Sequence, residues 1–260
     1  MKQKIVLIVL LVFLVSSFSF ADDFSDAILK AKKNLKSAEN KSDEKALIKV
    51  RGEFERILQL KKNTWIVYYY LSYTDFTIAS TYMKDQVKDK IKKYTESGFE
   101  MINKSIEGNP DFSDSYVMQM LLNFNRWIYE QDKMNDIISA TTAADEMAKK
   151  LDPNNPRYYY TSGVSSFYTP EMFGGGVDKA LVSLNKAYEL FQTRKEKEDY
   201  YPDWGLENVD GFISLCYLQR DKEGDMAKAK EFLDKGLAVN PDSGFLKEYV
   251  QKQYDEKNKK

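Results

Sequence analysis

The chain has 260 residues with 39 basic and 40 acidic side chains, a net charge of −1, no histidine and a single cysteine, Cys216. This length suits one or two domains with a sizeable core, and 43% hydrophobic with 14% aromatic residues is too apolar for a disordered chain. A Ser-His or Cys-His nucleophile, a His/Cys zinc site and an intramolecular disulfide are all excluded, and the balanced charge speaks against nucleic acid as a partner.

The N-terminus reads as a targeting segment. Lys2 and Lys4 precede the apolar run Ile5 to Val15, and Ser19 and Ala21 stand where small residues precede a cut. A signal peptide at 1–21 is expected, cleaved between Ala21 and Asp22, with one repeat domain over 22–260. Only 17 residues separate Lys4 from Asp22, short for an uncleaved membrane anchor. No cysteine lies near the cut, so lipid attachment is not expected. The mature protein is expected in the periplasm or outside the cell, with no stable membrane span.

Beyond Asp22 the periodicity is helical throughout. Helices are predicted at 24–38, 43–61, 64–83, 86–107, 112–131, 134–151, 156–168, 176–193, 204–220, 225–239 and 243–257. Pro110, Pro153 and Pro241 each follow a predicted helix end, where the missing N–H and the ring clash stop a helix. Pro110 and Pro153 stand 43 residues apart, and Pro153 and Pro241 stand 88 apart. Helix endings at a fixed period imply a stacked array.

Each period divides into two helices. The first opens on aromatics, as at Tyr68-Tyr69-Tyr70, Tyr116 and Tyr158-Tyr159-Tyr160. The second carries small residues about one heptad apart, such as Ala180 with Ala187 and Ala229 with Gly236, which let a neighbouring helix come close. The pattern Ile213-Ser214, Tyr217, Gly224-Asp225, Ala229, Leu233, Gly236 and Pro241 resembles the tetratricopeptide repeat (TPR) family. A second copy keeps Ser162-Gly163, Gly175, Ala180, Leu184 and Ala187. The family period is about 34 residues, so the longer spacing here places insertions in the inter-helix loops. Thr169 to Gly176, Pro202-Asp203-Trp204-Gly205 and Phe54-Glu55-Arg56 resemble exported repeat proteins of Bacteroidetes and spirochaetes. The resemblance implies an all-α, right-handed solenoid of four to five stacked antiparallel hairpins, with polar end helices at 24–38 and 244–254 as caps.

Motifs that suggest chemistry have plainer readings. Gly174-Gly175-Gly176 lacks the preceding strand and following Gly-Lys of a nucleotide loop and reads as a turn. Asp221 to Asp225 lacks the ligand spacing of a calcium loop. The carboxylates lie among lysines at helical spacing, a solvated face. Cys216 sits in an apolar run and reads as a small buried hydrophobe. No catalysis, cofactor or metal is expected.

The chain holds 18 tyrosines. Tyr69, Tyr116 and Tyr159 align with the packing aromatic of the resembled family and belong to the core. The resemblance also implies a concave face on the first helices, offset from those aromatics. That offset selects Tyr70, Thr77, Asp114, Phe124, Asn125, Arg157, Tyr160, Tyr168, Asn208 and Gln219 as binding residues, while Leu215 in the same series is expected beneath the C-terminal helix. Core packing alone is the alternative account of Tyr70 and Tyr160. The leading expectation is a non-catalytic periplasmic adaptor that binds a protein or peptide in its groove, with a transport or envelope component as a candidate partner. The alternative is a small-ligand-binding accessory of a solute-transport system.

Overall fold

The computed structural model describes residues 23–259, so the signal-peptide reading and the Ala21–Asp22 cut lie outside the described residues. The described chain is a stacked array of antiparallel helical hairpins without strands. Its helices are α1 (23–40), α2 (Glu44–Ile57), α3 (Thr64–Thr81), α4 (Lys88–Gly108), α5 (Ser113–Tyr129), α6 (Met134–Leu151), α7 (Pro156–Tyr168), α8 (Val177–Thr193), α9 (Leu206–Arg220), α10 (Asp225–Val239) and α11 (Gln251–Asn258). From α2 onward each helix packs chiefly on its neighbours in sequence. No described helix is long and apolar enough to cross a membrane.

Local chemistry sets the helix limits. The Asp43 carboxylate caps α2 by accepting from the Ala46 N–H at 3.0 Å. Asn155 caps α7 from the Arg157 N–H, with Pro156 at the first helical position. The helices before Pro110, Pro153 and Pro241 end at Gly108, Leu151 and Val239. Two expected boundaries move: α2 tightens into a 3₁₀ turn at Leu58–Leu60, and α9 starts at Leu206 because Gly205 takes φ +121°. The helix expected over 243–257 begins as a π-helical turn at Phe245–Val250.

Small residues let the hairpins close. A Cβ added to Gly163 on α7 would stand 2.6 Å from Leu184 Cγ on α8, so that crossing admits only glycine. The turn between α7 and α8 uses Gly174 at φ +82° and Gly176 at φ +99°, and the Gly176 N–H donates to the Ser166 and Thr169 carbonyls. Those donations satisfy the turn internally, in keeping with a structural loop.

Two features depart from a simple open array. Residues 194–205, which link α8 to α9, cross back over the N-terminal half. Trp204 joins the core built by α1 to α5 and donates its indole N–H to the Tyr69 hydroxyl at 2.9 Å. Tyr70 donates its hydroxyl to the Tyr200 carbonyl at 3.0 Å, and Lys32 donates to the Asp199 and Tyr201 carbonyls at 2.7 and 2.6 Å. Second, the ends of the array meet. Asn40, closing α1, and Asn240, following α10, exchange side-chain amide hydrogen bonds of 3.1 and 2.9 Å. Lys36 pairs with Glu207 beside them. Helix α1 is therefore no polar cap: Phe24, Ile28, Ala31, Leu35 and Ala38 are buried in the core.

Candidate functional site

The odd-numbered helices turn one face toward a shared concavity of about 810 Å³. Helix α3 supplies Tyr73 and Phe76, α5 supplies Leu121, Phe124, Asn125 and Ile128, α7 supplies Tyr160, Val164 and Tyr168, and α9 supplies Asn208 and Phe212. Their spacing by three, four or seven residues is that of a helix face. Phe245 and Tyr249, from the π-helical turn, complete the wall, and Trp204 and Glu39 reach the cavity from the 194–205 segment and from α1. The rim is open and aromatic, with Tyr168 59% and Tyr249 46% exposed.

The polar groups in this wall are few and mostly engaged. Asn125 donates its amide to the Thr95 hydroxyl at 3.0 Å. Tyr73, which stacks on Trp204 at 5.0 Å between ring centres, donates its hydroxyl to Glu39 Oε1 at 2.8 Å. Burial pushes the Glu39 carboxyl above the usual carboxylate range, against the attraction of Lys36. Burial likewise pushes the phenols of Tyr73 and Tyr160 above 10, so both are protonated at neutral pH. Lys84 stands exposed at the far rim. A second basin of about 820 Å³ adjoins the first across Tyr168 and Tyr249, and it is lined by Leu215, Leu218, Met226, Gln219 and Gln253.

Of the ten residues expected in a groove, Phe124, Asn125, Tyr160, Tyr168 and Asn208 line the first basin, and Gln219 lines the second. The other four lie elsewhere. Tyr70 is buried and stacked on Phe54 at 5.2 Å. Thr77 is buried and donates its hydroxyl back to the Tyr73 carbonyl at 2.8 Å. Asp114 and Arg157 form a buried ion pair that extends to Glu196, 2.5 Å from Arg157 Nη2. Arg157 also faces the Trp204 ring at 5.8 Å. Burial opposes its charge, but the two carboxylates more than offset that, so the guanidinium holds its proton more firmly than usual. These four residues support the wall from behind. Sequence reasoning missed Tyr73, Phe76, Phe212, Phe245, Tyr249 and Trp204. The density of aromatics in Tyr200-Tyr201-Pro202-Asp203-Trp204, a stretch with no helical period, was the available sign that this loop is packed.

Two titratable residues on α9, Cys216 and Asp210, are buried. Cys216 has its thiol pushed up to about 12 by burial, far from the thiolate a redox role requires. Asp210 on α9 is 1% exposed, its Oδ1 has no hydrogen-bond partner, and burial pushes its carboxyl up to about 7 against the nearby Lys235.

No protein-family model and no curated protein matches the chain. Among solved structures, the chain is similar to the HusA haemophore from Porphyromonas gingivalis, with a TM-score of 0.65 and 21% identity over 77% of this chain and 96% of that one. It is also similar to a thermophilic TPR protein of Thermus thermophilus, with a TM-score of 0.54 and 14% identity over 88% of this chain and 100% of that one. At these identities the likeness is one of fold, a TPR-like helical array.

Proposed function

We propose that this chain is an exported, non-catalytic binding protein that holds a flat, predominantly apolar ligand in its concave cavity, and that the ligand is of the tetrapyrrole class. The observation that carries the reading is the cavity itself: about 810 Å³, inside the roughly 300–1,000 Å³ of small-molecule sites. Phe76, Phe124, Tyr160, Tyr168 and Tyr249 line it around a few polar groups. Aromatic side chains in that number suit a large planar π-system better than a compact polar solute. Similarity to a protein named a haemophore supports the same class. Titrating metal-free protoporphyrin into the purified protein, with its fluorescence followed, tests the reading. Saturable one-to-one binding that Phe124→Ala weakens is expected, and absence of binding would overturn it.

The alternative occupant is an extended peptide of a protein partner. The continuity of the first basin with the second, which offers the Gln219 and Gln253 amides, favours it to that extent. Native mass spectrometry of material from the host envelope separates the two by the mass retained.

A further inference from the structure

We infer that the edge of the array formed by the turns within its hairpins docks on a zwitterionic lipid bilayer, with the mouth of the cavity against the membrane. The docking stands on the edge residues themselves; its use, loading the cavity from lipid, rests on the tetrapyrrole reading.

Antiparallel stacking brings the α3–α4, α5–α6, α7–α8 and α9–α10 turns to one edge. Val87, Trp127, Met134, Tyr168, Met172 and Phe173 are exposed at these turns or on the helix ends beside them. At the opposite edge, among the described residues, the exposed large apolar side chains are Leu60 and Val239. Met172 and Phe173 stand out most, 83% and 73% exposed. Their loop is closed tightly on itself. The Phe173 and Gly175 N–H groups both donate to the Pro170 carbonyl, at 2.9 and 3.1 Å, and Lys179 donates to the Gly174 carbonyl. A Cβ on Gly175 would stand 2.0 Å from the Thr169 carbonyl oxygen. A loop fixed in this way has little freedom left to lose on docking, and apolar side chains gathered on one exposed face mark an interaction surface.

Three observations favour a bilayer as the occupant. The apolar side chains stand on the tips of successive turns, a row that meets a plane. The charges between them are neutralised within the edge: Glu130 pairs with Arg126 and Lys133, and Asp178 with Arg220 and Lys222. Such an edge exerts little net attraction on an anionic surface. Trp127 and Tyr168 are of the amphipathic kind that settles at headgroup level, with Met172 and Phe173 as the apolar tips. The mouth lies among the same turns, since Met83 and Lys84 past the end of α3, Trp127 and Ile128 on α5 and Tyr168 on α7 all line the cavity. A flat apolar ligand dissolved in the bilayer then reaches the cavity without crossing water.

The test is co-sedimentation of the full mature chain, free of ligand, with phosphatidylcholine vesicles, with and without added phosphatidylglycerol. The chain should bind phosphatidylcholine, and neither phosphatidylglycerol nor raised salt should strengthen binding more than about twofold. Met172→Ser with Phe173→Ser should weaken binding at least about tenfold. Leu60→Ser with Val239→Ser should leave it within about twofold, and unchanged circular dichroism would show both variants folded. Phosphatidylcholine brominated on its acyl chains should quench the tryptophan fluorescence, and Trp127→Phe should remove most of that quenching, because Trp204 is buried and Trp65 opens α3 at the opposite edge. Absence of vesicle binding, dependence on phosphatidylglycerol, or equal loss in the two double variants would overturn the inference and leave the tetrapyrrole reading standing. A dimer in sedimentation velocity that Met172→Ser with Phe173→Ser abolishes would overturn it in favour of a second copy of the chain. Vesicle binding by a chain that takes up no porphyrin would sustain the docking and overturn the tetrapyrrole reading alone.

Discussion

Asp114 and Arg157 stand 43 residues apart, one repeat period, and close an ion pair with Nε–Oδ1 at 2.5 Å and side chains 2% and 1% exposed. The period that brings Pro110 and Pro153 to equivalent places thus also sets opposite charges face to face on adjacent first helices. The pair does more than join α5 to α7. Through Glu196, and through Arg194 with its bond to Asp152 at 2.7 Å, it anchors the segment that carries Trp204 to the cavity.

Removing the cation should therefore be severe. Arg157→Met leaves Asp114 and Glu196 without their buried partner, and breaking such a pair typically costs about 3–5 kcal/mol. Urea denaturation followed by circular dichroism measures the loss. Adding Asp114→Leu to the variant should restore part of it, because the buried Asp114 charge disappears while Glu196 keeps its pair with Arg194. A single variant as stable as wild type would contradict this account.

Much of the fold was legible because proline chemistry and small-residue spacing act locally. Pro110, Pro153 and Pro241 end helices whatever surrounds them, and Gly163 marks a close crossing on its own helix. The cavity wall was less legible because it depends on a segment with no period. Offset from the packing aromatics puts Tyr70, Asp114 and Arg157 on the inner side of their helices, but residues 194–205 fold over that side and bury them. Farther along the same helices Phe124, Tyr160 and Tyr168 remain on the cavity. The meeting of Asn40 with Asn240 has no local signature at all, since the contact spans 200 residues.

Asp210 gives the protein a pH dependence of unusual sign. Its folded carboxyl titrates near 7 and its ordinary value is 3.8. Below about pH 4 both folded and unfolded forms are protonated and no stability is lost. From about pH 4 to 7 the unfolded chain ionises first, so stability falls as pH rises, and above pH 7 the loss levels off at up to about 4 kcal/mol. Thermal melts should show Asp210→Asn more stable than wild type at pH 8 and nearly equal to it at pH 4. A variant that is less stable at pH 8 would show that the carboxylate has a partner.

Alanine substitution should separate wall from core among the tyrosines. Tyr70 is buried between Phe54 and Tyr69, and its truncation should cost about 3–5 kcal/mol. Tyr168 is 59% exposed, so Tyr168→Ala should change stability by less than about 1 kcal/mol while weakening porphyrin binding. Chemical denaturation paired with ligand titration on both variants checks this. Equal destabilisation by the two would contradict the placement of Tyr168 on an open rim.

The Asn40–Asn240 bonds bear on when the cavity comes into being. A linear repeat array gains structure hairpin by hairpin, each new unit docking on the last. Here the first described helix awaits a residue 200 positions later, and such distant contacts form late because the intervening chain must be gathered first. A chain emerging N-terminus first would stack α2 to α6 early, while Trp204, Phe212, Phe245 and Tyr249 arrive only with its last quarter. Completion of the cavity wall is thus deferred until the last quarter of the chain has emerged, so a chain arrested partway holds folded hairpins around an unfinished concavity.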